Sequence, residues 1–236
     1  GKDKTRKILN KNDIDKNINK IKKTFDRFID LESKGMIINN YDWLSELNYI
    51  DFLRDFGSTI TVNKMLTYDS IKQRLEREQP LSFLEFNYML LQAYDFLYLN
   101  ENYNCILQMG GSDQWGNIIS GIDLIKKSNN NSAYAITSTL ITNNDGSKMG
   151  KTADGAIWLN KEKYSDFDFF QYWRNTDDKN VERFLKLFTK LDLKEINKLS
   201  KLKDKEINEA KIILAYEITK ICRGKESANK AKEMAK

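Results

Sequence analysis

Strand-like apolar runs occur only in the first two-thirds of this chain and stop after about Leu159. That boundary constrains the fold more than any other feature. Before it, short apolar runs alternate with stretches of helical periodicity, which argues for an α/β layer built on a mostly parallel sheet. After it, residues 165–236 carry four or five helical patterns with Lys on their polar faces and no strand signal. We therefore expect an α/β domain over 1–159 and an all-α domain over 160–236. The chain has 236 residues, which is enough to bury a real core in each. It has a single proline, Pro80, so few sharp stops interrupt its helices.

Within the first part, residues 12–34 read as one long amphipathic helix, with Ile14, Ile18, Ile21, Phe25 and Phe28 at three- and four-residue spacing. Asn12 or Asp13 would cap it and Gly35 would end it. Residues 36–39 (MIIN) read as a buried parallel strand. Helices are expected over 48–56, 69–78 and 82–99, a strand over 105–109, a helix over 112–127, and one or two strands in AYAITSTLIT.

Composition excludes several chemistries. Histidine is absent, so no His-based triad, general base or metal ligand is available. Cys105 and Cys222 are far apart and fit no metal-ligand spacing, so reduced thiols are expected. No apolar run approaches the ~20 residues that cross a bilayer, and residues 1–10 lack the apolar core of a signal peptide. The formal charge of +5 suits a polyanion such as RNA, and equally a Lys-rich composition with no such role.

Three segments carry chemistry. GGSDQWGN (110–117) follows a strand-like run and opens a helix. Adjacent glycines there let backbone approach a ligand, and helix amides can face an anion or a ribose; an ordinary tight turn with a capped helix has the same pattern. The GxGxxG dinucleotide spacing is not met. DGSKMGKT (145–152) places two lysines on a polar glycine-containing loop, able to bring ammonium groups to a triphosphate. Gly146 and Gly150 enclose only three residues, so it is not a phosphate-binding Walker loop; a solvated basic turn is the plain reading. In NYMLLQAYD (87–95), Tyr88, Gln92 and Asp95 stand at i, i+4 and i+7, on one polar helix face among apolar neighbours. Such a stripe serves a small polar ligand, or simply faces solvent.

Together these segments resemble class I aminoacyl-tRNA synthetases, specifically the bacterial-type tyrosyl-tRNA synthetases. DGSKMGKT is similar to that family's KMSKS loop, and LQMGGSDQWGNI (107–118) to a family signature. NNYDWL, FLRDFG, EFNYMLLQAYDFL, GAIWL and NTDD follow in the family's order along essentially the whole chain. The resemblance implies a Rossmann-like catalytic domain followed by a helical anticodon-arm domain. It implies that Tyr88 and Gln92 hold the amino group of L-tyrosine, that Asp95 accepts its phenol hydrogen bond, and that Gln108 and Asn40 line the same pocket. Gly111, Asp113 and Gln114 would hold the adenylate, with Asp113 near the ribose and Gln114 near the reacting carboxyl. Lys148, Lys151 and Thr152 would form the catalytic phosphate loop, with Lys2 and Arg6 also reaching the pyrophosphate.

The implied substrates are tyrosine, ATP with Mg2+, and tRNA(Tyr), in a cytoplasmic homodimer formed around residues 49–83. Tryptophanyl-tRNA synthetase is disfavoured by the Tyr88, Gln92, Asp95 pattern and GGSDQWGN. A non-catalytic RNA-binding relative is the alternative of another class. The family's His-Ile-Gly-His-type motif is not in the sequence, and the chain opens within a GDPSGK-type stretch. The resemblance therefore implies truncation at both ends, and little or no activity from these residues alone.

Overall fold

The computed structural model describes residues 9–142, 149, 151–152 and 155–235. Two compact units divide the chain. One spans Ile38–Met149, and the other joins the segment through Ile37 to the chain from Gly150 onward. Among the described residues no helix is long and apolar enough to cross a membrane.

In the Ile38–Met149 unit, short helices α2 (Tyr41–Leu44), α3 (Tyr49–Asp55), α4 (Val62–Leu66) and α5 (Asp69–Glu76) precede the long α6 (Phe83–Tyr103). Helix α6 starts where it does because Ser82 and Glu85 form a reciprocal capping box. It ends at Asn104, which takes the left-handed conformation that Asn tolerates. Strand β1 (Leu107–Gly111) follows, then a 3₁₀ turn over Ser112–Gln114, helix α7 (Trp115–Asn129) and strand β2 (Tyr134–Ser138). β1 and β2 pair in parallel, Leu107 opposite Tyr134 through Gly111 opposite Ser138. This β-α-β unit is the α/β element expected from the sequence, and AYAITSTLIT supplies one of its strands.

The core of this unit lies between α6 and α7, where Ala93, Phe96, Leu97, Leu124 and Ile125 are buried together. Gly121 makes that packing possible, because a Cβ there would lie 2.9 Å from Phe96 Cδ1. A second cluster of Met65, Ile71 and Met89 fixes α4 and α5 against the start of α6.

Two expectations need correction. Residues 12–34 do not form one helix: α1 runs Lys11–Phe25, capped by the Asn10 side chain rather than by Asn12 or Asp13. The Asp30 carboxylate accepts from the Glu32 and Ser33 amides and the Ser33 hydroxyl, and the Asp30 carbonyl from the Lys34 and Gly35 amides. The side-chain bonds take the Glu32 and Ser33 amides that a continued helix would give to the Phe28 and Ile29 carbonyls. Residues 36–39 are not a strand either. Met36 is 66% exposed, and no described strand pairs with the run, so its apolar character finds no ladder to join.

In the other unit, β3 (Lys151–Thr152) pairs antiparallel with β4 (Gly155–Ala156). Helices α8 (Asp166–Arg174), α9 (Asp178–Phe188), α10 (Leu193–Leu199), α11 (Ile207–Arg223) and α12 (Lys225–Met234) make the expected all-α region. Phe169, Phe170, Leu185 and Leu214 are fully buried there. Trp173 meets Phe169, Phe184 and Phe188 edge-on, at ring separations of 5.3 to 6.3 Å. The Arg223 side chain is wholly buried, yet well used. It donates to the Trp158 and Tyr164 carbonyls and the Asp166 carboxylate, and its guanidinium stacks 4.2 Å from the Phe169 ring. Arg223 thus ties the entry to α8 to the end of α11 with charge-assisted bonds.

Candidate functional site

Helix α6 presents Asp95 and Gln92 three residues apart, on neighbouring turns of one face. Each is held by side chains from elsewhere in the same unit. Asp95 Oδ1 accepts from Trp43 Nε1 at 2.8 Å, and Asp95 Oδ2 from Asn40 Nδ2 at 3.0 Å. Trp43 is buried and stacked on Tyr98, with ring centroids 4.5 Å apart and 12° between planes. That stacking fixes the indole, and the indole then fixes the carboxylate. Burial pushes the Asp95 carboxyl above the ordinary carboxylate range, and the bonds from Asn40 and Trp43 oppose the rise. A carboxylate offers about four acceptor sites. Two protein donors therefore orient Asp95 and leave it able to accept a hydroxyl from a ligand.

A second set surrounds Gln92. Asn117 on α7 donates through Nδ2 to Gln92 Oε1 at 2.9 Å and to Gln114 Oε1 at 3.4 Å. This fixes both amides with their oxygens toward Asn117, and a carbonyl oxygen keeps a second lone pair for a ligand cation or donor. Gln108, in the middle of β1, has its Oε1 buried with no hydrogen-bond partner among the described residues. An orphaned buried acceptor in a strand is the kind of group a ligand's donor satisfies.

The adjacent glycines also make room inside the protein. Their φ angles are not positive, since Gly224 is the only glycine with one among the described residues. A Cβ on Gly110 would lie 3.0 Å from Gln114 Cβ, and one on Gly111 would lie 2.7 Å from Asp113 Oδ1. The space left by the missing side chains is filled by the protein's own Gln114 and Asp113. The missing side chains thus leave room for the two polar groups of the turn.

The structure thus brings Asn40 to Asp95, and Gln92 to Gln114, with Gly110 and Gly111 seating Gln114 and Asp113. Tyr88 lies one turn before Gln92 and is 56% exposed. Lys148, Lys2 and Arg6 lie outside the described residues. Lys151 and Thr152 are described as backbone only, in β3. Sequence reasoning missed Trp43 and Asn117. Trp43 stands in NNYDWL three residues after Asn40, a spacing that puts both on one helical turn and was the available signal. Asn117 is the final residue of GGSDQWGN and reads locally as a helix position.

The family model for class I tRNA synthetases (W and Y) matches residues 1–236. A tyrosine–tRNA ligase of Orientia tsutsugamushi is 55% identical over 233 residues, covering 98% of this chain and 56% of the relative. One from Pelagibacter ubique is 54% identical over 239 residues, covering 100% of this chain and 58% of the relative. The chain therefore spans somewhat more than half the length of these curated relatives. A C-terminally truncated mitochondrial tyrosyl-tRNA synthetase of Aspergillus nidulans superposes with a TM-score of 0.75 at 29% identity, over 98% of this chain and 70% of that one. Its Coccidioides posadasii counterpart gives 0.74 at 28% identity, over 92% and 65%.

Proposed function

The chain belongs to the class I tRNA synthetases of the W and Y type, and on that premise we propose that it is part of a tyrosine–tRNA ligase that activates L-tyrosine with ATP and transfers it to tRNA(Tyr). The observation that carries the choice of tyrosine is Asp95. Its half-buried carboxylate is aimed by Trp43 and Asn40 and keeps acceptor capacity for a phenol. A phenylalanine ring offers no hydroxyl, so its binding would bury that carboxylate without return. Tyrosyl-tRNA synthetases are themselves the standard example of such rejection of phenylalanine, at about 10⁵; the figure is that family's and not a property of this chain.

Tyr88 and Gln92 take the amino group, through the phenol oxygen and the amide oxygen that Asn117 orients. Gln108 contributes its orphaned acceptor to the same pocket. Gly111 and Asp113 hold the adenosine side, Asp113 toward the ribose, and Gln114 stands by the reacting carboxyl. Lys148, Lys151 and Thr152 take the phosphates, with Lys2 and Arg6 on the pyrophosphate. Mg2+ enters with ATP as part of the substrate.

In the first step the tyrosine carboxylate attacks the α-phosphate, the bond to the β-phosphate breaks, and pyrophosphate leaves. No protein nucleophile is needed, so the work is positioning and charge stabilisation by the lysines. The ribose hydroxyl of the tRNA end then takes the acyl group and AMP leaves. The helices of residues 160–236 serve the anticodon arm through backbone contacts from their Lys-rich faces. The protein is cytoplasmic in this reading, and a homodimer through residues 49–83 is consistent with the exposed apolar side chains of Tyr49, Ile50, Val62 and Phe83, each 56–67% accessible.

The test is ATP–pyrophosphate exchange by the full natural gene product, with tyrosine, phenylalanine and tryptophan in turn. Exchange with tyrosine alone is expected. A folded protein that exchanges with none of them would replace this reading with a non-catalytic RNA-binding relative.

A further inference from the structure

A cavity of about 250 Å³ lies in the unit that contains α1 and α11, and its lining includes none of the substrate-binding residues named above. Lys20, Lys23, Thr24 and Arg27 line it from one side, and residues 159–162 with Cys222 from the other. Helix α1 contributes Lys20, Lys23 and Thr24 from its last turns, and Arg27 follows two residues beyond the helix end. Lys161 adds a fourth cation from a separate segment, and Glu162 is the one carboxylate among the lining residues.

Part of this charge has an internal use. Arg27 donates to the Cys222 carbonyl, at the negative end of α11. Asp166 feels Lys161 electrostatically. Yet no carboxylate of a described residue makes an ion pair with Lys20, Lys23, Arg27 or Lys161, whereas Lys64, Lys186, Lys211 and Lys220 all have one. Lone exposed lysines are ordinary. Four cations gathered round one concavity from two segments repel one another, and an anion seated there relieves the repulsion.

The lining also limits the kind of anion. None of the residues round the cavity is aromatic. The nearby Trp158 ring is covered by Lys163, whose Nζ lies 3.9 Å from the ring centroid. The site has no aromatic stacking platform for a base, and its amide and guanidinium side chains are both engaged, Asn160 Oδ1 by the Glu162 amide and Arg27 by the Cys222 carbonyl. It suits the phosphodiester backbone, which is held by charge without sequence information.

We propose that this cavity docks one or two backbone phosphates of RNA on Lys20, Lys23, Arg27 and Lys161. The inference rests on the RNA substrate of the function proposed above, and it deepens that reading by assigning a contact point for the RNA backbone.

The experiment compares K20E/K23E and, from the other segment, K161E with a control pair of exposed lysines in the same unit, K22E/K34E, all in the full natural gene product. Binding of a fluorescein-labelled tRNA(Tyr) transcript is followed by anisotropy across a salt series. The pocket variants should bind about tenfold more weakly at 0.1 M salt than the control pair, and the slope of log K against log salt should fall by about one to two, as expected for one or two lost phosphate contacts. Tyrosine-dependent pyrophosphate exchange, which needs no RNA, should be unchanged. Equal losses in pocket and control variants would reduce the effect to net charge and overturn the proposal. So would titration of inorganic pyrophosphate that binds below 1 mM (about the weak end of small-ligand sites) and is lost in K20E/K23E while RNA affinity stays intact. RNA binding without exchange in the unaltered protein would count against the catalytic reading and leave the docking site standing.

Discussion

Replacing Trp43 by Phe isolates the device that aims Asp95. The substitution removes the Nε1–H that donates to Asp95 Oδ1 at 2.8 Å, and keeps an aromatic ring to stack on Tyr98. A hydrogen bond to a charged group contributes about 1.5–3 kcal/mol. Asp95 is only half-buried, so water replaces part of the lost donor and the lower end applies, with a small addition for the indole volume removed: ~1–2 kcal/mol of unfolding free energy.

The pH dependence sharpens the test. Burial holds the Asp95 carboxyl above its ordinary range, against the pull of Asn40 and Trp43. A raised folded value makes ionisation of Asp95 a cost to stability, fully present above that value and absent once the group is protonated in acid. Loss of the Trp43 donor enlarges the cost, so the variant should differ most from the parent at neutral pH and least below the Asp95 titration. Urea denaturation followed by circular dichroism at about pH 3, below the ordinary Asp range, and at pH 7.5 measures this. With tyrosine as substrate, KM in pyrophosphate exchange should rise about tenfold, the equivalent of ~1.4 kcal/mol, with a smaller change in kcat. An unchanged KM, or an equal stability loss at both pH values, would refute the claim that Trp43 orients the ionised carboxylate.

Two further outcomes follow from the packing. Gly121→Ala places a Cβ within 3.0 Å of both Phe96 Cβ and Cδ1, and Phe96 is 1% exposed with nowhere to turn, so α6 and α7 must move apart. A loss of about 1–3 kcal/mol is expected, read by denaturant unfolding; an unchanged midpoint would mean the helices are not close-packed there. Burial alone would raise the Asp166 carboxyl, but hydrogen bonds from Ser227 and Arg223 and the nearby cations outweigh it and hold it below its usual value. Its stabilisation is present above the ordinary carboxylate range and is lost as pH falls through the lowered value. Thermal melts below about pH 4 should thus show a steeper acid loss for the parent than for Asp166→Asn, and parallel curves would remove Asp166 from the acid-sensitive set.

The sequence by itself determined which residues share an element and a face. A period of 3.6 put Tyr88, Gln92 and Asp95 on one side of α6. An apolar run before two glycines marked β1 and the turn into α7, and the end of strand signals marked the all-α region. These features are local, because backbone geometry repeats over a few residues and side-chain pattern follows it. The tertiary structure decided what local pattern cannot encode. Residues 36–39 have strand composition, but a strand exists only through a partner, and none of the described strands supplies one. The helix expected over 12–34 stops at Phe25, and farther on the Asp30 carboxylate takes the Glu32 and Ser33 amides that a longer helix would have given to Phe28 and Ile29. Asp95 owes its orientation to an indole 52 residues earlier, and Gln92 to an amide 25 residues later. Chain separation carries no signal in one-dimensional periodicity. It is packing of α2 and α7 against α6 that brings those donors within 3 Å, and with them turns a polar stripe into a site.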